Sequence, residues 1–396
     1  MGCISNTHPF FDLIRRLYEA ALKGDWKNVQ DSIQLFKAKG TFNSSVNVFG
    51  RTALHVAAGA GHSNFVKELV KNMSDAALIM KDTRNDNTAL HFASLNAGIE
   101  AVTAIVEAGT TKSIELTQIR NKLGWTPLLL CAAYITNDRK DVLQYLCNKT
   151  REDGNKEYPI FSGKLGAQLV CNVTAAGLYD VAIKLVKDHP ELATARDQND
   201  CALLDVLARK SSDFPSGSQL GFWRRLYSCD VDNNHQQNPT VREVLTKFLS
   251  WSFWSRDPGI KQVYLKNNLS LELLDCVCSS IPDDKKKEFF ANSSILENGT
   301  KYGIVELVTK CIQTYPDQIW LFDTAATIFR TAVKYRKGKI FSIMYGTSPK
   351  KRLMACWRVE AGNNILHVAA ALPPPDVLNV VAGAALQMQR ELQWFK

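Results

Sequence analysis

Thr52 to Ala57 reads TALHVA and is followed at once by AGAGHSNFVKELV. The phrase returns as TALHFA at Thr88 to Ala93, then as TPLLLC at Thr126 to Cys131, and last as NILHVA at Asn364 to Ala369. A phrase recurring at a spacing in the thirties marks a chain built from stacked copies of one small unit. Within the unit, Leu54, Ala57 and Ala58 sit at helical spacing, and the two alanines let a second helix approach closely. Gly61 supplies the left-handed residue that ends a helix. Phe65, Val66, Leu69 and Val70 form the apolar stripe of a helix running back. Two short helices cannot cover that stripe alone, so copies must stack.

Other copies follow from the same alignment. LYEAALKG, Leu17 to Gly24, leads into a second amphipathic run from Asp25 to Phe36, and matching Gly24 to Gly61 starts this divergent first unit near Arg15. Later starts fall near residues 52, 88, 126, 168 and 202, with the polar run TREDGNKEY, Thr150 to Tyr158, read as an inserted loop. The fifth unit keeps only its second half, AAGLYDVAIKLV. In the sixth, DCALLDVLA, Asp205 stands at the histidine position, which costs a tie from side chain to backbone. After Lys210 the pattern stops at SSDFPSGSQ, and DNNHQQNP follows a short aromatic and basic segment. Residues 1–210 are therefore expected to form a first block, 211–239 a linker, and 240–396 a second helical block. Within the second block, GIVELV at Gly303, KIFSIM at Lys339 and NILHVA align to starts near 290, 327 and 364. From Leu378, an apolar seam of Val381, Ala385, Met388, Leu392 and Phe395 closes the chain.

Gly50, Thr52, Ala53, Leu54, His55, Ala57, Ala58, Gly61, His62, Phe65, Val66 and Leu69 match the ankyrin repeat, which this unit resembles. The combination of FPSGSQLGFW with GNNILHVAAALPPP and GAALQMQRELQWFK is similar to the plant ankyrin-transmembrane family, the accelerated-cell-death and salt-tolerance-type proteins with a Pro-Gly-Gly domain. The resemblance implies an all-α ankyrin-repeat solenoid of stacked helix pairs in two blocks. It implies a non-catalytic protein-binding scaffold in plant stress or defence signalling, at the cytosolic face of a membrane. In that family the next residues lead into membrane helices, whereas this sequence stops first. The alternative is thus the cytosolic portion of a membrane transport or channel-like protein lacking its transmembrane domain.

Composition bounds the remaining classes. The start shows no secretory leader, and the longest late apolar run, Val377 to Met388, is too short to span a bilayer, so a cytoplasmic chain peripheral to the plasma membrane is expected. Met1-Gly2-Cys3 invites acylation at Gly2 or Cys3, although Asn6 stands where that pattern wants Ser or Thr. The 10 cysteines include no CxxC pair and read as reduced thiols. Of the net charge of +9, residues 301–396 carry +7, from 13 Lys and Arg against 6 Asp and Glu. Lys334, Arg336, Lys337, Lys339, Lys350, Lys351 and Arg352 hold most of it and could face an anionic membrane surface. Nucleic-acid binding through this basic block is the last alternative.

No motif for a nucleotide loop, zinc protease or nucleophile elbow is present, and neither cofactor nor metal is expected. His55, His91 and His367 recur because the unit recurs, which points to a structural role bonding backbone of the next repeat. The position between the turn glycine and the threonine varies, and it is read as pointing off each loop tip toward a partner. It is occupied by Arg51, Asn87, Trp125, Cys201 and Asn363, with Trp125 the foremost contact because aromatic anchors dominate binding hot spots.

Overall fold

Short amphipathic helices with one apolar stripe must find cover, and in this chain each pair finds it on its neighbours. The computed structural model describes residues 9–152, 160–217, 258–291, 293–319, 322–347, 364–378 and 383–392. Among them there is no strand, only two isolated bridges, Ser45 with Thr52 and Arg196 with Ala202. Internal packing divides the chain into two compact units, residues 1–161 and 162–396.

In the first unit, α1 (Pro9–Lys23), α2 (Ala53–Gly59), α4 (Ala89–Asn96) and α6 (Pro127–Ala133) stack as an inner row. The returning helices α3 (Ser63–Val70), α5 (Ile99–Thr111) and α7 (Lys140–Glu152) stack as an outer row. Phe65, Val66 and Leu69 of α3 are fully buried, as are Ala101, Val102 and Ile105 at the matching places on α5. Hiding each large apolar side chain contributes about 1.5–3 kcal/mol, which short helices of weak intrinsic stability need. Gly61 turns one row into the other with φ +81°, and a Cβ there would meet the Asn96 carbonyl oxygen of the next repeat at 3.0 Å. Glycine is required twice over, by conformation and by contact.

The second unit continues the same grammar. α8 (Gly163–Ala175), α10 (Leu203–Leu207), α12 (Ile295–Tyr302), α14 (Phe322–Lys334) and α16 (Ile365–Ala370) succeed one another along the inner row. α9 (Tyr179–Asp188), α11 (Pro258–Ser280), α13 (Val305–Thr314) and α15 (Gly338–Thr347) form the outer row. The helix α11 lies between α9 and α13, with Leu273, Leu274 and Val277 buried. It is the second helix of the sixth repeat, although Leu207 and Pro258 are far apart in sequence.

The expected blocks, 1–210, 211–239 and 240–396, are set beside the observed packing at two places. The division falls at 161/162, and the fifth and sixth repeats pack with the later helices of the second unit. Residues 211–217 stay with this stack, Asp213 and Phe214 being buried, while 218–257, which hold most of the expected linker, lie outside the described residues. Loop length is a weak constraint, because doubling a loop costs only about 0.6 kcal/mol, so the sixth repeat can close with a distant helix. The terminal seam also differs. In α17 (Ala384–Leu392), Leu386, Met388 and Leu392 are 57%, 66% and 57% exposed, so this apolar face is uncovered among the described residues.

Leu273→Ala tests the place of α11. A fully buried leucine at an inter-repeat contact should cost about 2–5 kcal/mol, read as a lowered urea midpoint by circular dichroism. A change within about 0.5 kcal/mol, the range of surface substitutions, would show that α11 does not complete the stack.

Candidate binding surfaces

The loops that join successive repeats are built around one side chain each. Asn47 Oδ1 accepts from the backbone N–H of Phe49 and Arg51, at 3.0 and 3.2 Å. Asn121 Oδ1 accepts from Leu123 and Trp125, both at 3.0 Å. Asp197 repeats this with Asn199 and Cys201, and Asp82 with Asn85 and Asn87. A short Asn or Asp side chain satisfies loop N–H groups that would otherwise need water. Sequence reasoning missed these four residues, although Asn47, Asn121 and Asp197 share one offset from the helix start.

The positions expected to contact a partner belong to these same turns. Arg51, Asn87, Trp125 and Cys201 close the turns rather than lead off them. The Arg51 guanidinium turns inward and holds the buried Asp82 carboxylate at 3.2 Å, with its carbon 4.6 Å from the centre of the Phe92 ring. Asn87 is 7% exposed, and its Oδ1 accepts from Asn121 Nδ2 at 2.9 Å. Trp125 and Cys201 are half-buried, and Asn363 lies outside the described residues. The tips themselves fall two or three residues earlier, where Val48 is 90% exposed, Phe49 43% and Leu123 67%. Backbone bonds from Thr83 N–H to Phe49 O and from Lys122 N–H to Asn85 O, both 2.9 Å, tie neighbouring tips.

Behind the tips sit the repeating histidines. His55 Nδ1 accepts from the Thr52 backbone N–H at 3.1 Å, and the Thr52 hydroxyl lies 2.8 Å away. A backbone N–H can only donate, so Nδ1 is the acceptor and the proton is placed on Nε2, which donates to Met80 O at 3.0 Å. His91 makes the same bonds to Thr88 and to Trp125 O. Burial pushes both imidazoles down to about 4, so they stay neutral near pH 7. His367 is exposed, with Nδ1 2.6 Å from Asn364 Oδ1. In the sixth repeat, Asp205 Oδ2 still accepts from Ala202 N–H at 3.0 Å. The substitution therefore keeps the local half of the tie, while an ionised carboxylate has no proton to give onward.

The basic segment is divided by the fold. Lys334 and Lys339 are exposed, Lys337 is half-buried with its ammonium pushed down by burial, and Lys350, Lys351 and Arg352 lie outside the described residues. Arg336 is buried. It is 6% exposed, occupies the turn at φ +56° where other repeats place glycine, and donates to Val333 O, Ala369 O and Ala371 O. Its Nε also donates to Glu391 Oε2 at 2.9 Å. Arg139 does similar work in the first unit, donating to Ala93 O, Ser94 O and Ala97 O. Both arginines satisfy carbonyls left orphaned at a helix end.

Residues 17–115 match the family model for ankyrin repeats (3 copies). The fold is an ankyrin-repeat solenoid. No curated protein matches the chain. Among solved structures, the ankyrin repeat domain of Bcl-3, described as a unique member of the IkappaB protein family, is similar over 48% of this chain and 92% of that chain. The identity is 18% and the TM-score 0.32. Among the described residues, no group of three or more His, Cys, Asp and Glu could hold a metal, and no helix is long and apolar enough to cross a membrane.

Two outcomes follow for the repeat histidines and for Arg336. Histidines depressed below their usual value of 6.5 contribute stability that is present above pH 6.5 and lost as pH falls toward about 4. Each contributes roughly 3 kcal/mol at most. Chemical denaturation should therefore give a smaller loss between pH 7 and pH 5 for His91→Gln than for the native chain, and equal losses would refute the assignment. Arg336→Met should destabilise by about 3–5 kcal/mol, because the carbonyls of Val333, Ala369 and Ala371 lose their donor and Glu391 loses its partner. A melting temperature equal to that of the native chain would contradict this.

Proposed function

We propose that this chain is a non-catalytic protein-binding scaffold. One observation carries the reading. The polar residues that recur from repeat to repeat are consumed by internal bonds, while the tips they hold rigid present Val48, Phe49 and Leu123 to solvent. Apolar side chains on a rigid edge are poor for solubility and good for docking, since little ordering entropy is lost when a partner covers them. Ankyrin repeats generally mediate contacts between proteins, which agrees with this geometry.

The resemblance to the plant ankyrin-transmembrane family supports placing the scaffold in stress or defence signalling at the cytosolic face of a membrane. A second reading, the cytosolic portion of a membrane transport or channel-like protein, draws on the uncovered apolar face of α17 and the exposed Lys334 and Lys339. Fractionation of the expressed chain with and without a high-salt wash separates the readings. A pool free in the supernatant favours the scaffold, and retention through the wash favours the second.

Full-length chain immobilised as bait in native extract should recover a partner in fixed stoichiometry with its mass unchanged. The double variant V48D/L123D alters only exposed side chains and should lose that partner while keeping the native melting temperature. Undiminished capture by the variant would remove the tips from the proposal. Chemical conversion of the partner would overturn the non-catalytic reading.

A further inference from the structure

The second unit contains a groove of about 550 Å³ along its inner row, walled by α12, α14 and α16. Its charge is one-sided. Lys301, Arg330 and Lys334 line it, against the single carboxylate of Glu297. Three lysines elsewhere do meet acids: Lys71 with Glu68, Lys187 with Glu272 and Lys310 with Asp275. Among the described residues, Lys301, Arg330 and Lys334 have no such ion pair. Instead, the Lys301 and Lys334 ammonium groups rest 5.5 and 5.7 Å from the centre of the Tyr335 ring. Three like charges brought together from two neighbouring repeats repel one another, and an anion in the groove relieves that repulsion. Val368 and Leu372 add apolar side chains to the lining, the latter 77% exposed.

We infer that this groove binds an acidic peptide segment of a protein partner, with the carboxylates against Lys301, Arg330 and Lys334 and one apolar side chain against Leu372. The inference rests on the scaffold reading and assigns it a second surface, separate from the loop tips. A cleft between helices suits an extended chain one side chain wide better than the flat face of a bilayer. Tyr335, the ring that would stack a nucleic-acid base, is already engaged by two ammonium groups. Val368 and Leu372 add a preference for a hydrophobic residue beside the acids, which a headgroup or phosphate backbone would not satisfy. The charges give rate and selectivity, and the apolar contact slows dissociation.

The test is fluorescence anisotropy with the full chain and a short labelled peptide of glutamates and aspartates around one leucine. Controls are the same peptide with lysines for the acids and with serine for the leucine. The acidic peptide should bind, the basic one should not, and affinity should fall as salt rises. R330E/K334E should weaken binding about tenfold or more, equivalent to about 1.4 kcal/mol, while Lys67→Glu, in the first unit, leaves it unchanged. Circular dichroism melting shows whether R330E/K334E is folded. If it is not, R330Q/K334Q replaces it, with a smaller loss expected. Equal binding of acidic and basic peptides, or no loss in a folded variant, overturns the inference. So does binding of phosphatidylserine vesicles or a single-stranded oligonucleotide without binding of the acidic peptide. If the peptide fails while V48D/L123D still abolishes partner capture, only the groove is wrong. Absence of any captured partner removes the scaffold reading itself.

Discussion

A pair of short helices cannot bury its own apolar stripe, and the rest of the structure depends on that constraint. Phe65, Val66 and Leu69 are covered only because α5 lies beside α3, and α5 in turn needs α7. Stability of this kind is a sum of nearest-neighbour terms, so a repeat can lose its signature and persist if its neighbours still fit. The fifth and sixth repeats illustrate this. Leu169, Val170, Leu203 and Leu204 are fully covered although the threonine and histidine of the motif are missing there.

Stacking alone leaves polar backbone at every turn, and the chain meets that need in several chemically distinct ways. Neutral histidines link a helix start to the carbonyl of the following loop, at Met80 and Trp125. Asn47, Asp82, Asn121 and Asp197 gather the loop N–H groups. Arginines 139 and 336 reach across to carbonyls of a neighbouring repeat. An unpaired buried polar group costs about 1–3 kcal/mol, so each arrangement matters as much as an apolar contact. The polar residues that recur most are therefore the least available to a partner. Exposed positions differ from repeat to repeat, apolar at the tips of the first unit and cationic along the inner row of the second.

Much of this was legible. Periodicity gave the helix pairs, and Gly24 and Gly61 gave the left-handed turns, while His55 and His91 bond the carbonyls of Met80 and Trp125. Residue identity failed where direction mattered. The register holding Arg51 and Asn87 resembled an outward tip because it varied, yet Arg51 faces Asp82 and Asn87 faces Asn121. Arg336 resembled one more surface cation, yet the neighbouring turn and Glu391 enclose it.

The sequence by itself determined that the chain is an array of helix pairs, because a period in the thirties and the spacing of apolar residues are properties of the linear order. Tertiary structure alone decided which helix completes the sixth repeat and where the two compact units divide. It also decided which cations are buried and which line the groove. A helix takes the slot its apolar face fits, however far along the chain it lies, and a charge is hidden or presented by neighbours that the linear order does not name.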